Sequence, residues 1–196
     1  MLRRLLVICC VVVAVAVVGS GPTAHARPRS EDFSGGVRSS AWSVRNADPP
    51  NAVVTQNGWL DITLGVDQLM FPWDVAGTAA PMMLVEPPEP DADYTLETHM
   101  RVIHPGRASW QSLAGLWIIR RDGSAAWVWG VLDADMLCLR EHRLDRHAEV
   151  AWIAMRAAFP AAEGPWLQIA KRGGDYTFRH KFHEDGAWIE TDGKPW

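Results

Sequence analysis

Residues 110–129 constrain the fold more than any other stretch of the chain. They read Trp110-Gln111-Ser112-Leu113-Ala114-Gly115-Leu116-Trp117-Ile118-Ile119-Arg120-Arg121-Asp122-Gly123-Ser124-Ala125-Ala126-Trp127-Val128-Trp129. Two apolar runs meet at Asp122-Gly123, a pair that readily takes the positive φ needed to join antiparallel strands in a tight turn. The same punctuation recurs at Asn57-Gly58, Gly173-Gly174 and Asp185-Gly186. The chain also carries 11 tryptophans. An indole on a strand either fills a core or offers a flat apolar face to a ligand, so the faces of these strands bear directly on function.

The first 26 residues read as a secretory leader. Met1-Leu2-Arg3-Arg4 is a basic start, Leu5 to Val18 is an uninterrupted apolar run, and Ala24-His25-Ala26 is a small-residue cleavage pattern. The apolar run is shorter than the roughly 18–20 residues needed to span a bilayer. Cys9 and Cys10 lie inside it rather than after it, which argues against lipidation. Cleavage after Ala26 gives an exported, extracellular chain, Arg27 to Trp196, with no membrane attachment. That length suits one domain with a sizeable core. Cys138 is then its only cysteine, so no intrachain disulfide is available. Loss of Arg3 and Arg4 leaves 17 of the 19 basic residues against 23 acidic ones. A mildly acidic chain without a basic run is a poor match to nucleic acid or anionic lipid.

Strand signals dominate the rest, with no sustained helical period. Short strands are predicted near Trp42 to Val44 and over Met82 to Val85. Val53 to Gln56 and Trp59 to Leu64 form a hairpin about Asn57-Gly58. Tyr94 to Ile103 alternates, with Tyr94, Leu96, Met100 and Val102 on one face and Thr95, Glu97, His99 and Arg101 on the other. In the Asp122-Gly123 hairpin, Ala114, Leu116 and Ile118 share a face and Trp117 lies opposite; Ala125, Trp127, Trp129 and Val131 share a face beyond the turn. Leu137 to Leu139 and Val150 to Met155 read as strands separated by a charged loop, Glu141 to Glu149. Trp166 to Ala170 and Tyr176 to Phe182 pair through Gly173-Gly174. At least nine short strands with closely spaced turns predict an all-β, two-sheet antiparallel sandwich of jelly-roll type.

The order of these elements resembles the concanavalin A-like lectin/glucanase superfamily. It is most similar to the C-terminal domain of β-xylosidases and its stand-alone secreted relatives. The resemblance rests on Asp32-Phe33-Ser34, Asn57-Gly58-Trp59-Leu60, Ala80-Pro81, Tyr94-Thr95-Leu96-Glu97, Gln111 to Leu116, Leu167 to Gly173 and Asp185-Gly186-Ala187-Trp188. It implies a concanavalin A-like jelly roll that binds carbohydrate, with a structural calcium as the one cofactor to be considered. Such sandwiches close with a further strand beyond the point where this sequence reaches Trp196, so either the sequence is truncated before that strand or the sandwich has an open edge. The catalytic branches carry a Glu-x-Asp-x-x-Glu strand or a Gln-x-His strand, and neither pattern occurs here. The leading expectation is therefore a secreted, non-catalytic, lectin-like module. The alternatives are a glycan hydrolase or lyase on the same fold and a cell-envelope protein-interaction module.

Sugars stack their C–H faces on indole while their hydroxyls seek polar partners. If Leu116 and Ile118 face the core, Trp117 faces away, and the reading places it on the same side as Glu97, His99 and Arg101. The expected site on the concave face comprises Trp117, Trp127 or Trp129, with His99, Arg101, Gln111 and His180. Trp42, Trp59, Trp166 and Trp188 stand at element starts or turns and read as packing residues. His180 and His183 are three apart, which separates them across a strand unless a turn intervenes, so they do not suggest a shared metal. Cys138, between Leu137 and Leu139, reads as a buried inert thiol.

Overall fold

A computed structural model describes residues 10–16, 43–45, 52–56, 60–64, 82–84, 92–102, 113–119, 125–132, 136–143, 146–154 and 163–191. Side-chain environments are described for 92–102, 114–119, 127–132, 136–141 and 163–191. In chain order the strands are β1 (Cys10–Ala16), β2 (Ser43–Arg45), β3 (Ala52–Gln56), β4 (Leu60–Leu64), β5 (Met82–Leu84), β6 (Tyr94–His99) and β7 (Leu113–Ile119). They continue as β8 (Ala125–Leu132), β9 (Met136–Arg143), β10 (Arg146–Ala154), β11 (Trp166–Arg172), β12 (Asp175–Lys181) and β13 (Ile189–Glu190). No helix occurs among the described residues.

Two sheets carry the fold. The larger has the order β10-β9-β8-β7-β1-β5-β2, the smaller β13-β12-β11-β6, and β3-β4 form a separate hairpin. Pairing is antiparallel throughout, except that β1 runs parallel to both β7 and β5. β1 falls inside the segment expected to be a leader. Its run of valines suits both roles, because β-branched apolar sequence also fits an interior parallel strand.

The turn residues act as expected from their chemistry. Gly173-Gly174 joins Arg172 to Asp175 as a two-residue hairpin, and Gly173 takes φ 56°, a conformation that glycine adopts without a Cβ penalty. The Asp93 carboxylate accepts a hydrogen bond from the Gly173 amide at 2.7 Å, tying this turn to the start of β6. In the Asp122-Gly123 hairpin the register pairs Leu116 with Trp129 and Ile118 with Trp127. Residues directly opposite share a sheet face, so these four side chains point the same way.

That shared face is the core. Leu96 of β6, Leu116 and Ile118 of β7, Trp129 of β8, Leu137 and Leu139 of β9, Leu167 and Ile169 of β11, and Phe178 of β12 form one buried cluster. Burial of each such side chain contributes roughly 1.5–3 kcal/mol, so the cluster is what binds the two sheets together. Trp129 meets Phe178 across the layers, edge-on, with ring centroids 6.4 Å apart. The result is an all-β sandwich of two facing sheets.

The charged segment from Glu141 to Glu149 corrects the sequence reading. It is a hairpin rather than a loop: Arg143 pairs with Arg146, and β9 and β10 continue through these charges. Charged residues on a strand pair ending at β10, an outer strand of its sheet, hinder edge-to-edge association. One register shift, between Glu149 and Ala151, marks a bulge. Cys138 is fully buried on β9, as its flanking leucines suggested.

Candidate functional site

The smaller sheet presents two chemically different faces. On β11, Leu167 and Ile169 are fully buried against the larger sheet. Strand alternation therefore sends Trp166 and Gln168 outward. The register sets His99 of β6 and Lys181 of β12 on either side of Trp166. It likewise sets Glu97 and Arg179 on either side of Gln168, with Glu190 of β13 beyond Arg179. Two rows thus cross the outer face, one aromatic and cationic, the other made of groups that hydrogen-bond.

In the first row His99 lies flat on Trp166, with ring centroids 3.7 Å apart and planes 4° from parallel. The imidazole is held there by a 2.7 Å hydrogen bond between Nε2 and the Glu163 carbonyl. A carbonyl only accepts, so Nε2 carries the proton. Burial pushes the His99 imidazole below its ordinary pKa, with the Glu163 carbonyl bond acting in the opposite direction. The Lys181 ammonium lies 5.7 Å from the Trp166 ring centre and 5.0 Å from that of Trp188. Both distances fall within the roughly 6 Å reach of a cation–π interaction. Lys181 Nζ also donates to the Glu184 carbonyl. Trp166, Lys181 and Trp188 are each partly exposed.

The second row is joined by its own contacts. Gln168 Nε2 donates to Glu97 Oε2 at 3.3 Å, and the Arg179 guanidinium donates from Nε and Nη2 to Glu190 Oε2 at 3.3 and 3.2 Å. The Arg179 and Glu190 side chains are 38% and 61% exposed. At such exposure an ion pair fixes orientation more than it stabilises the fold.

Of the residues expected to share a concave-face site, Trp127, Trp129 and His180 lie together between the sheets, while Trp117, His99 and Arg101 lie elsewhere. Trp127 and Trp129 point into the space between the sheets, where the Trp129 indole donates from Nε1 to the Arg179 carbonyl at 2.8 Å. His180 is in the same layer, 6.0 Å from the Trp129 ring and 5.1 Å from that of Phe182. Its Nδ1 is buried without a hydrogen-bond partner, and burial pushes its pKa down. Trp117 faces the other side of the larger sheet, paired with Val128, and is only 1% exposed. His99 is on the outer face of the smaller sheet, Arg101 lies exposed just beyond β6, and Gln111 is outside the described residues.

The reason is a pairing difference. The expected site assumed that β6 and β7, neighbours in sequence, lie side by side. Instead β6 pairs with β11 in the smaller sheet, while β7 belongs to the larger one. Among the described residues, Trp166 and Trp188, read as packing residues, are the indoles that stand on the partly exposed face. Alternation within Trp166-Leu167-Gln168-Ile169 was the available signal. His183 lies beyond β12 in a turn, where its carbonyl accepts from the Gly186 amide at 3.0 Å. No group of three His, Cys, Asp or Glu side chains suited to a metal ion occurs among the described residues. No helix among them is long and apolar enough to cross a membrane.

Fold and face together define an all-β sandwich with an aromatic and polar platform on its smaller sheet. No protein-family model, curated protein or solved structure matches the chain.

Proposed function

We propose that the protein is a secreted carbohydrate-binding module that recognises a poly- or oligosaccharide on the outer face of its smaller sheet. The observation that carries this reading is the adjacency of the two partly exposed indoles, Trp166 and Trp188, to the Glu97–Gln168–Arg179–Glu190 row. Indole supplies the apolar surface on which a pyranose ring stacks, and the Glu97 and Glu190 carboxylates and the Arg179 guanidinium supply directional partners for its hydroxyls, with the buried Gln168 amide donating to Glu97. His99 covers one face of Trp166, and the Lys181 ammonium lies over Trp188, 5.0 Å from its ring centre. The leader-like start of the sequence supports export to where such ligands are found.

A protein-binding module would be favoured by a continuous exposed apolar patch around Trp117 and Trp129. Both are buried, and the exposed large hydrophobic residue among those described is Ile189, 50% exposed. A single such residue is not a protein-docking patch. A glycan array probed with the mature chain, with and without calcium, tests the reading. Selective binding to a glycan class supports it, and an array without bound glycans would refute it.

A further inference from the structure

We infer that the platform selects acidic sugars, with Lys181 as the group that pairs with a hexuronate carboxylate; this rests on the carbohydrate-binding reading above. The inference comes from how the charges of the two rows are used. Arg179 is occupied by Glu190, and Glu97 accepts from Gln168. Lys181 differs. Its ammonium lies over the rings of two indoles and gives one hydrogen bond, to a backbone carbonyl. An ammonium has three N–H donors, so two remain. No carboxylate among the described residues forms an ion pair with it. The indole faces partly compensate the positive charge, but they do not use those donors.

The geometry around Lys181 suits a ligand that is apolar on one face and anionic at its edge. Because the ammonium lies over the Trp188 ring, 5.0 Å from its centre, a pyranose packed beside it against the edge of the indole would bring a ring substituent to the ammonium. A C5 carboxylate is such a substituent, and a charge-assisted hydrogen bond to it is roughly twice as strong as a neutral one. Trp166 and the His99 stacked on it fix the other wall. Lys181 is thereby positioned before a ligand arrives, which reduces the ordering cost of binding.

The test uses oligogalacturonate, oligoglucuronate and alginate oligomers, each beside its carboxyl-reduced neutral counterpart, titrated into the mature chain by calorimetry. At least one uronate is expected to bind roughly tenfold more tightly than its reduced form, the size expected of one charge-assisted contact. The preference should shrink as sodium chloride rises from about 50 to about 500 mM, because a partly exposed contact is screened. Lys181→Gln should bring the two affinities together while neutral binding persists, and Lys181→Arg should keep much of the preference. An unchanged thermal midpoint in Lys181→Gln excludes unfolding as the cause.

Equal affinity for the acidic and reduced forms would overturn the inference and leave the carbohydrate reading standing. A preference that survives Lys181→Gln would also overturn it, by placing the carboxylate elsewhere. Failure of every glycan, acidic or neutral, would instead defeat the underlying reading.

Discussion

Replacing Trp129 by phenylalanine separates an indole that holds the sheets together from one that meets a ligand. Trp129 is 0% exposed, contacts Phe178 across the layers, and donates from Nε1 to the Arg179 carbonyl at 2.8 Å. The smaller ring removes that hydrogen bond, at about 1 kcal/mol. It also leaves a cavity, costing about 24 cal/mol per Å³ where the surroundings do not collapse. Together these give a loss of roughly 2–3 kcal/mol. For a domain of this size each kcal/mol shifts the thermal midpoint by about 2–4 °C, so a fall of roughly 5–10 °C is expected. Thermal melting followed by near-ultraviolet circular dichroism measures it, with glycan affinity determined on the same preparations. Affinity should stay within about twofold of wild type, since a factor of two is only about 0.4 kcal/mol. An unchanged midpoint together with weakened glycan binding would show that Trp129 is a ligand contact and that the reasoning from register is wrong.

Other consequences follow from backbone packing, titration and the N-terminal segment. A Cβ added at Gly115 would lie 2.3 Å from the Trp129 carbonyl oxygen and 2.4 Å from the Gly130 Cα. Gly115→Ala should therefore force β7 and β8 apart and cost about 1–3 kcal/mol in denaturant unfolding, and wild-type stability would refute the close approach. Burial lowers the His180 pKa, so the unfolded chain takes up its proton at a higher pH than the folded one. Stability should fall as pH drops below about 6.5 toward the lower folded value, at up to about 1.4 kcal/mol per pH unit from this group. Urea titrations from about pH 7.5 to 5 should show that slope flattened in His180→Phe, and an equal slope in both proteins would refute it. Mass spectrometry of the exported protein should find Arg27 as its first residue. An exported chain that retains Met1 would contradict the leader reading and make β1 part of the working fold.

The local parts of the fold were legible because local chemistry determines them. Asp122-Gly123 and Gly173-Gly174 announce hairpins, and alternation put Leu116 and Ile118 on a core-facing side; Trp127 and Trp129, expected at the ligand face, lie on that same core side because the hairpin register pairs them with Ile118 and Leu116. The β9–β10 hairpin was hidden because charge was read as loop, although alternating charges are compatible with an outer strand pair. The platform was hidden for a different reason. His99 meets Trp166 across 67 positions of sequence, and only the packing of the two sheets selects β11, rather than β7, as the partner of β6. Register within a hairpin is set by its turn, whereas the partner of a strand after a long crossover is set by the core. The sequence offered Trp117 as the indole beside His99 and Glu97, whereas the strand pairing sets Trp166 beside His99.

Glycan titration of the wild-type mature chain against Trp188→Ala and Trp117→Phe tests the central claim most directly. With the best glycan from the array, Trp188→Ala should weaken binding at least tenfold at an unchanged thermal midpoint, as loss of a stacking contact worth about 1.4 kcal/mol or more would. Trp117→Phe should bind as wild type does. Full binding by Trp188→Ala, with binding lost in a folded Trp117→Phe, would contradict the outer-face site and return it to the larger sheet.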